Sequence, residues 1–447
     1  MRKFLIPFVL LMMFAGGGMT VAQQKTWSLE ECVKYAIDNN IQIKQQALQN
    51  DVQKNSLDLA KMKLLPTVSG QASHDYSFGR ALDQNTYEFY NQTIQSNYFY
   101  IGGGLSLFSG LQNYNSIVKN KYLLLAGEQD LQNIKDNVAL NVALAYLQIL
   151  LNKELVNASQ NQLDISKQQI DKTRKMVDAG SFARGNLLQI EAQAAQEELQ
   201  LINLKNQLEI SYLNITQMLE LKTPAGFEVF APEIQIDQNT IVSGNIDEIY
   251  NVAEGNRPEI KSSEYNLTAS TYDLKMALGQ RSPRLSMNYS MNTRYTYIFD
   301  QPINTAFSKQ INDNRSSGVG FTMAIPILNG WQINKNISNA RINIENRKYA
   351  LEATKKQLYK NIQQAYADAV ASLKKYNASM KAVSSSEESF RYSEQKFNVG
   401  LVTPVDYNAA KTQLLKAQSE LAQAKYEFVF KTKVLDFYKG IPITLSK

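Results

Sequence analysis

Residues 285–299 read Leu285-Ser-Met-Asn-Tyr-Ser-Met-Asn-Thr-Arg-Tyr-Thr-Tyr-Ile-Phe299. Leu285, Met287, Tyr289, Met291, Tyr295, Tyr297 and Phe299 alternate with Arg284, Ser286, Asn288, Ser290, Asn292, Arg294 and Thr296. Period two over this length predicts a strand with one apolar and one polar face. The pattern recurs in Val68, Gly70, Ala72, His74, Tyr76 and Phe78, in Phe99, Ile101, Leu105 and Leu107, and in Val319, Phe321, Met323 and Ile325. A soluble sandwich alternates too, but needs many strands, and only about four stand out here. In a transmembrane barrel the apolar face meets lipid, the polar face meets a wet lumen, and aromatics gather at the interfaces. Tyr87, Phe89, Tyr90, Tyr98, Phe99 and Tyr100 suit such a girdle, as do Tyr289, Tyr295, Tyr297 and Phe299. On this reading Tyr76, Phe78, Phe99, Ile101, Leu285, Tyr289, Tyr295 and Phe321 face lipid. Four strands cannot close a barrel, since even small ones need about eight. The chain must oligomerise.

The strand pairs belong to a longer repetition. Asn39-Asn-Ile-Gln-Ile-Lys44 returns as Asn256-Arg-Pro-Glu-Ile-Lys261, and Leu107-Phe-Ser-Gly110 as Ile327-Leu-Asn-Gly330. Pro66 returns as Pro283, and Val177-Asp-Ala-Gly180 as Phe397-Asn-Val-Gly400. Such a unit is too long for a solenoid and points to a duplicated half-protein. Each half reads helix, strand, loop, strand, very long helix, tight turn, helix. The first repeat is expected over 23–220, with its strand pair at 66–109 and its hairpin tip near Gly180. The second is expected over 251–447, with strands at 283–327 and a tip near Gly400. A linker at 221–250, apolar around 227–236, separates them.

The opening helix is expected as one run over 29–65, with Ser28 as N-cap and Glu31 as its capping-box partner. From Gly110 to Gly180, and again from Gly330 to Gly400, no proline interrupts the helical pattern. About 70 residues at about 1.5 Å each reach roughly 100 Å, several bilayer cores. Leu414, Ala417, Leu421, Ala424, Phe428, Leu435 and Tyr438 form a 3–4 seam on the return helix, as do Leu201, Leu204, Leu208, Ile215 and Met218. Seams of this kind make antiparallel coiled-coil pairs.

Residues 1–22 read as a secretory leader: Arg2-Lys3, an apolar core, then Thr20-Val-Ala22. No later segment reads as an uncharged membrane-spanning helix. Cys32 is the single cysteine, so no intrachain disulfide forms, and its helical setting suits a small buried hydrophobe. The formal net charge of +6 is dispersed, which argues against nucleic acid as a partner. With one histidine, His74, a histidine-centred triad or multi-histidine metal site is excluded. Gly102-Gly-Gly104 lies inside a strand and reads as tight packing or a bend rather than a phosphate loop. The paired carboxylates Glu30-Glu31, Glu197-Glu198 and Glu387-Glu388 read as solvated helix faces. No catalytic, metal or cofactor site is expected.

Ala179-Gly-Ser-Phe-Ala-Arg-Gly-Asn186 aligns without gaps on Val399-Gly-Leu-Val-Thr-Pro-Val-Asp406. Glycine suits a left-handed helix C-cap, Thr403 an N-cap and Pro404 a first turn. On these tips, on Phe108-Ser-Gly110, on the Ser28-Leu-Glu-Glu-Cys32 opening and on the ordered duplication, the chain resembles the TolC-like outer-membrane efflux family (outer membrane factors). The resemblance spans essentially the whole chain after the leader. It implies an α+β membrane protein: a homotrimer whose twelve-stranded barrel, four strands per chain, sits in the outer membrane lipid of a Gram-negative cell and continues into a long periplasmic helical barrel.

It further implies a duct served by a periplasmic adaptor and an inner-membrane pump of RND or ABC type, with adaptor contacts near Gly180, Ser181, Gly400 and Leu401. Asp406 matches an acidic position that narrows the entrance in some relatives. Asn186 takes that place in the first half, and Ala409 stands where a second acidic residue would. Arg184 is a candidate partner for a neighbouring Asp406. Small-molecule efflux is the expected function. A type I protein-secretion duct is the alternative within transport, and a periplasmic coiled-coil scaffold is the alternative outside it.

Overall fold

The computed structural model describes residues 26–82, 87–232, 234, 236, 242, 244–299 and 303–444. The leader expected over 1–22 lies outside them, as does part of the linker. The first half runs β1 (Thr26–Trp27), α1 (Leu29–Asn39), α2 (Ile41–Met62), β2 (Thr67–Leu82), β3 (Phe89–Phe108), α3 (Gln112–Asp178) and α4 (Arg184–Met218). After β4 (Glu228–Val229), the second half runs α5 (Ile246–Asn256), α6 (Pro258–Gly279), β5 (Arg284–Ile298), α7 (Phe307–Asp313), β6 (Ser316–Ala324), α8 (Gln332–Asn398) and α9 (Pro404–Tyr438). Corresponding helices match in length: α1 and α5 have 11 residues, α2 and α6 22, α3 and α8 67, α4 and α9 35.

The expected single opening helix is two helices. Asn40 takes an extended conformation (ψ 132°) and caps α2 by accepting the Gln42 N–H at 2.9 Å. Its side-chain amide also donates to the Met218 carbonyl at 3.2 Å, which ties the break to the end of α4. Ser28 and Glu31 do form the capping box at the start of α1. The second returning strand stops at Ala324, short of Ile325, because Pro326 follows and cannot donate to a ladder.

The four long strands form one antiparallel sheet in the order β2-β3-β5-β6. Each runs directly into a helix: α2 leads into β2, β3 into α3, α6 into β5, and β6 into α8. Helix packing repeats the sheet order, with α2 against α3, α3 against α6 and α6 against α8. Further from the sheet α4 and α9 replace α2 and α6, so the row becomes α4-α3-α9-α8. The chain is therefore a row of four staves, each part strand and part helix.

The joins in β3–α3 and β6–α8 share one device. Gly110 and Leu111 are both left-handed (φ 63° and 61°), as are Gly330 and Trp331 (φ 58° and 63°). A non-glycine residue there costs roughly 1–2 kcal/mol, and both halves accept it in the turn between strand and helix.

The largest core lies where α1, α3 and α4 meet the linker. Cys32, Ala36, Val142, Tyr146, Ile149, Ile215 and Leu219 are buried there. The linker supplies Phe227 and Val229, and β4 pairs in parallel with β1. The Tyr146 hydroxyl donates to the carbonyls of Trp27 and Phe230, clamping that small sheet onto α3. Helix α3 contains one stretch long and apolar enough, by length and composition alone, to cross a bilayer. Val142, Ala143, Leu147 and Leu150 show where its apolar surface goes, into the helical core.

Candidate functional site

The two hairpin tips close by the same hydrogen bonds. Gly180 (φ 73°) donates to Val177 O at 2.9 Å and Ser181 to Met176 O at 2.9 Å. Gly400 (φ 78°) donates to Phe397 O at 3.0 Å and Leu401 to Lys396 O at 2.9 Å. This is the Schellman arrangement, which needs a left-handed residue at the glycine position.

Beyond the glycines the tips diverge. Thr403 and Asp406 form a full capping box at the start of α9: the Asp406 N–H donates to Thr403 Oγ1 at 3.2 Å, and Asp406 Oδ2 accepts the Thr403 N–H at 3.3 Å. The Thr403 hydroxyl also reaches Asp406 Oδ2 at 2.7 Å. Asp406 is thus an exposed carboxylate held rigidly by the helix start. The other tip has Ala183 as N-cap and no side-chain cap. Arg184 is the exposed first residue of α4, and Asn186 is half-buried. Among the described residues Arg184 and Asp406 make no ion pair within the chain. Val399, Leu401 and Val405 are exposed on the second tip at 69, 74 and 60%.

Above the tips the two hairpins are joined by a buried polar cluster. Glu197, expected on a solvated face, is buried between α3, α4 and α9 and pairs with Lys411 at 3.2 Å. The Lys411 ammonium also donates to the Gln162 carbonyl at 3.1 Å and to Ser166 Oγ, while Ser166 donates to Glu197. Burial pulls the Lys411 ammonium below its ordinary range, against the opposing pull of the Glu197 charge. One helical turn nearer the tip, burial pushes the Tyr407 hydroxyl up to about 12. Among the described residues that hydroxyl and Gln162 Nε2 take no hydrogen-bond partner.

Apolar residues enclose this polar layer: Ile190, Ala194, Phe397 and Tyr407 on the tip side, Leu163 and Leu201 on the other. The signal was present in the sequence. Tyr407 and Lys411 extend the α9 seam toward the tip at 3–4 spacing, and Ile190, Ala194 and Glu197 extend the α4 seam. A charge at a seam position marks a buried partner.

At the other end of the molecule, strand register sorts the faces. Residues directly opposite each other share a face. Gly70 pairs with Ile101, Ile101 with Met291, Tyr289 with Val319 and Met287 with Phe321. Tyr76, Phe78, Phe99, Ile101, Leu285, Tyr289, Tyr295 and Phe321 thereby fall on one face. The opposite face carries Ser69, Gln71, Ser73, Asp75, Ser286, Asn288 and Arg294.

Two of the aromatics expected in the girdle lie on the polar face. Tyr98 pairs with Ser73 and Tyr100 with Gln71, and their rings stack at 6.4 Å on the polar face. Gly102 leaves room for the Tyr100 ring, and Gly103 approaches the Thr67 carbonyl too closely for any side chain. The Tyr289 hydroxyl donates to that same carbonyl at 3.2 Å. The glycine run is a close-packing device on both faces of the wall. Phe99 and Tyr295 are partly covered by Phe307 of α7, at ring separations of 6.5 and 4.9 Å.

The chain's relatives share this architecture. The Campylobacter jejuni CmeC outer membrane channel superposes with a TM-score of 0.77 at 16% identity, covering 100% of this chain and 95% of that one. The Vibrio cholerae outer membrane protein VceC gives 0.74 at 15%, covering 92% and 96%. The Neisseria gonorrhoeae MtrE outer membrane channel, in its open state, gives 0.72 at 15%, covering 93% and 89%. Identities this low speak to the fold alone. No curated protein matches the sequence. The sequence profile described as outer membrane efflux protein matches residues 33–220 and 249–432, most of the chain. With staves, tips and wall in the same order, the chain belongs to the outer membrane efflux protein family.

Proposed function

We propose that three copies of this chain close head to tail into an outer-membrane efflux channel with a long periplasmic extension. The observation that carries this reading is the matched order of the staves. Strands and helices run in the same sequence, and both rows end open, at β2 with α2 on one side and at β6 with α8 on the other. Different patches at the two ends make a heterologous contact, which closes into a ring. An even number of strands per chain lets antiparallel alternation continue across each seam. Two copies would give eight strands, whose interior side chains fill. Three give twelve and leave a lumen, lined by the Ser, Asn, Gln and Arg face, with the apolar face toward lipid.

The duct does no chemistry; it gives cargo a path from an inner-membrane pump, through a periplasmic adaptor, to the exterior. The exposed Val399, Leu401 and Val405 around Gly400, with Gly180 and Ser181 on the first tip, form the surface for the adaptor. Threefold symmetry brings three Asp406 carboxylates to the entrance, where a ring of acids holds cations. The test is a deletion strain carrying a substrate panel, complemented with the intact gene. Restored export of small molecules supports the reading, and unaltered sensitivity in the deletion strain contradicts it. For the entrance, Asp406→Ala is expected to change single-channel conductance and cation block. Unchanged values remove Asp406 from the pore.

A further inference from the structure

Strand β6 has 9 residues, while β2, which it meets across each seam of the proposed trimer, has 16. The ladder between β5 and β6 ends at Asn292 and Ser316. Above it, β5 continues to Ile298 paired with β3 on one side, and among the described residues no strand lies along its other edge. A bare edge of this kind invites strands from other copies. Here side-chain amides occupy it. Asn304 Nδ2 donates to the Ile298 carbonyl at 2.8 Å, and Asn304 Oδ1 accepts the Ile298 N–H at 2.9 Å. Gln310 does the same at Thr296, at 2.9 and 3.0 Å. Asn314 Nδ2 donates to the Arg294 carbonyl at 2.7 Å.

Arg294, Thr296 and Ile298 are alternate residues, the ones whose backbone groups point away from β3. Each amide offers a donor and an acceptor in the spacing of a peptide group, so three side chains imitate a strand. Thr293 Oγ1, donating to Ile311 O at 2.7 Å, and Phe307 on Phe99 and Tyr295 pin α7 over the apolar face beside this edge.

We infer that Asn304, Gln310 and Asn314 close the upper β5 edge and so confine pairing between copies of this chain to the nine residues of β6. The inference rests on the trimeric reading, because it concerns which edge a second copy engages. The segment holding α7 is kept out of the seam, and β2 outlasts its partner by seven residues, sixteen less nine. Side-chain closure suits this place: a strand there would lengthen the seam, whereas an amide ladder ends it.

Cysteine crosslinking between copies in membranes tests this. Ser317→Cys, Val319→Cys and Phe321→Cys on β6, each combined with a scan of β2 positions 68–82, are expected to give crosslinked trimers at register-matched positions. Lys309→Cys and Asn312→Cys are expected to give none with any β2 position. In the triple variant Asn304→Ala, Gln310→Ala, Asn314→Ala, Lys309→Cys is expected to gain crosslinks to β2, or the protein to shift at least severalfold toward species larger than a trimer. Crosslinks from Lys309→Cys with the amides intact would overturn the inference. So would a triple variant that stays trimeric with an unchanged crosslink pattern. If the triple variant fails to assemble, the scan on the intact ladder decides alone. A chain that crosslinks nowhere and runs as a single copy instead refutes the trimer, a distinguishable result.

Discussion

The two hairpin tips share a reversal and differ in how the return helix begins. Gly180 and Gly400 end α3 and α8 with the same pair of backbone hydrogen bonds. Yet α9 starts with Pro404 and a complete capping box, and α4 starts from Ala183 with no side-chain cap. The reversal is demanded by geometry in both halves. The cap is not, so it marks what is particular to the second hairpin: a rigid start, an oriented Asp406 and three exposed apolar side chains. The two hairpins thus agree in how the chain reverses and differ in how the return helix starts.

The largest expected effect breaks the link between the hairpins. Lys411→Met leaves the Glu197 carboxylate buried and unpaired, a loss of about 3–5 kcal/mol. The double variant Lys411→Met, Glu197→Leu is expected to recover most of it, since an apolar pair of similar volume often serves as well. Thermal unfolding of the detergent-purified protein reads both, and a double variant no better than the single one contradicts the account of the pair.

Next come the reversals. Gly180→Ala and Gly400→Ala each force a side chain into the left-handed region, costing roughly 1 kcal/mol or more. The account expects nearly equal losses of melting temperature, because the two φ angles, 73° and 78°, are alike. Unequal losses would mean that the tips differ in the reversal as well as the cap.

Smaller, and sharper for the comparison, is the cap itself. Thr403→Ala is expected to cost about 1 kcal/mol and to speed amide exchange in the first turn of α9. Asn186→Ala, in the position aligned with Asp406, is expected to leave α4 unchanged, since no side chain caps that helix. Amide exchange in both first turns measures the pair in one experiment.

The smallest effect lies away from the tips. Burial alone would raise the Glu228 carboxyl, but hydrogen bonds from Lys153 (2.7 Å) and Tyr212 (3.0 Å) hold it below its usual range. A depressed carboxyl stabilises the fold above its unfolded pKa, and the contribution is lost as pH falls through the lower folded value. The melting difference between the intact chain and Glu228→Gln is therefore expected at neutral pH and to vanish on acidification below the usual carboxylate range. A difference that persists in acid contradicts this sign.

Much of the frame was readable in the residues because two periods dominate it. The alternation from Leu285 to Phe299 became β5 with its faces sorted as the pattern implies, and the 3–4 seams became helix pairs with Leu201, Ala417, Ala424 and Phe428 buried. What escaped were features set by contacts distant in sequence. Asn40 breaks the first helix because it can cap α2 and reach Met218 at once. Glu197 looks like Glu198 until Lys411, 214 residues away, takes its carboxylate. Tyr98 and Tyr100 were grouped with the girdle by composition, and register alone assigns them to the polar face. The amides of Asn304, Gln310 and Asn314 lie in a polar segment without period, so nothing local announced their edge.

The central claim is that one chain is four staves of a ring with open, unlike ends. Native mass measurement of the protein extracted from membranes tests it most directly. Three chains per particle is the predicted result, and a particle of one, two or four chains would contradict it.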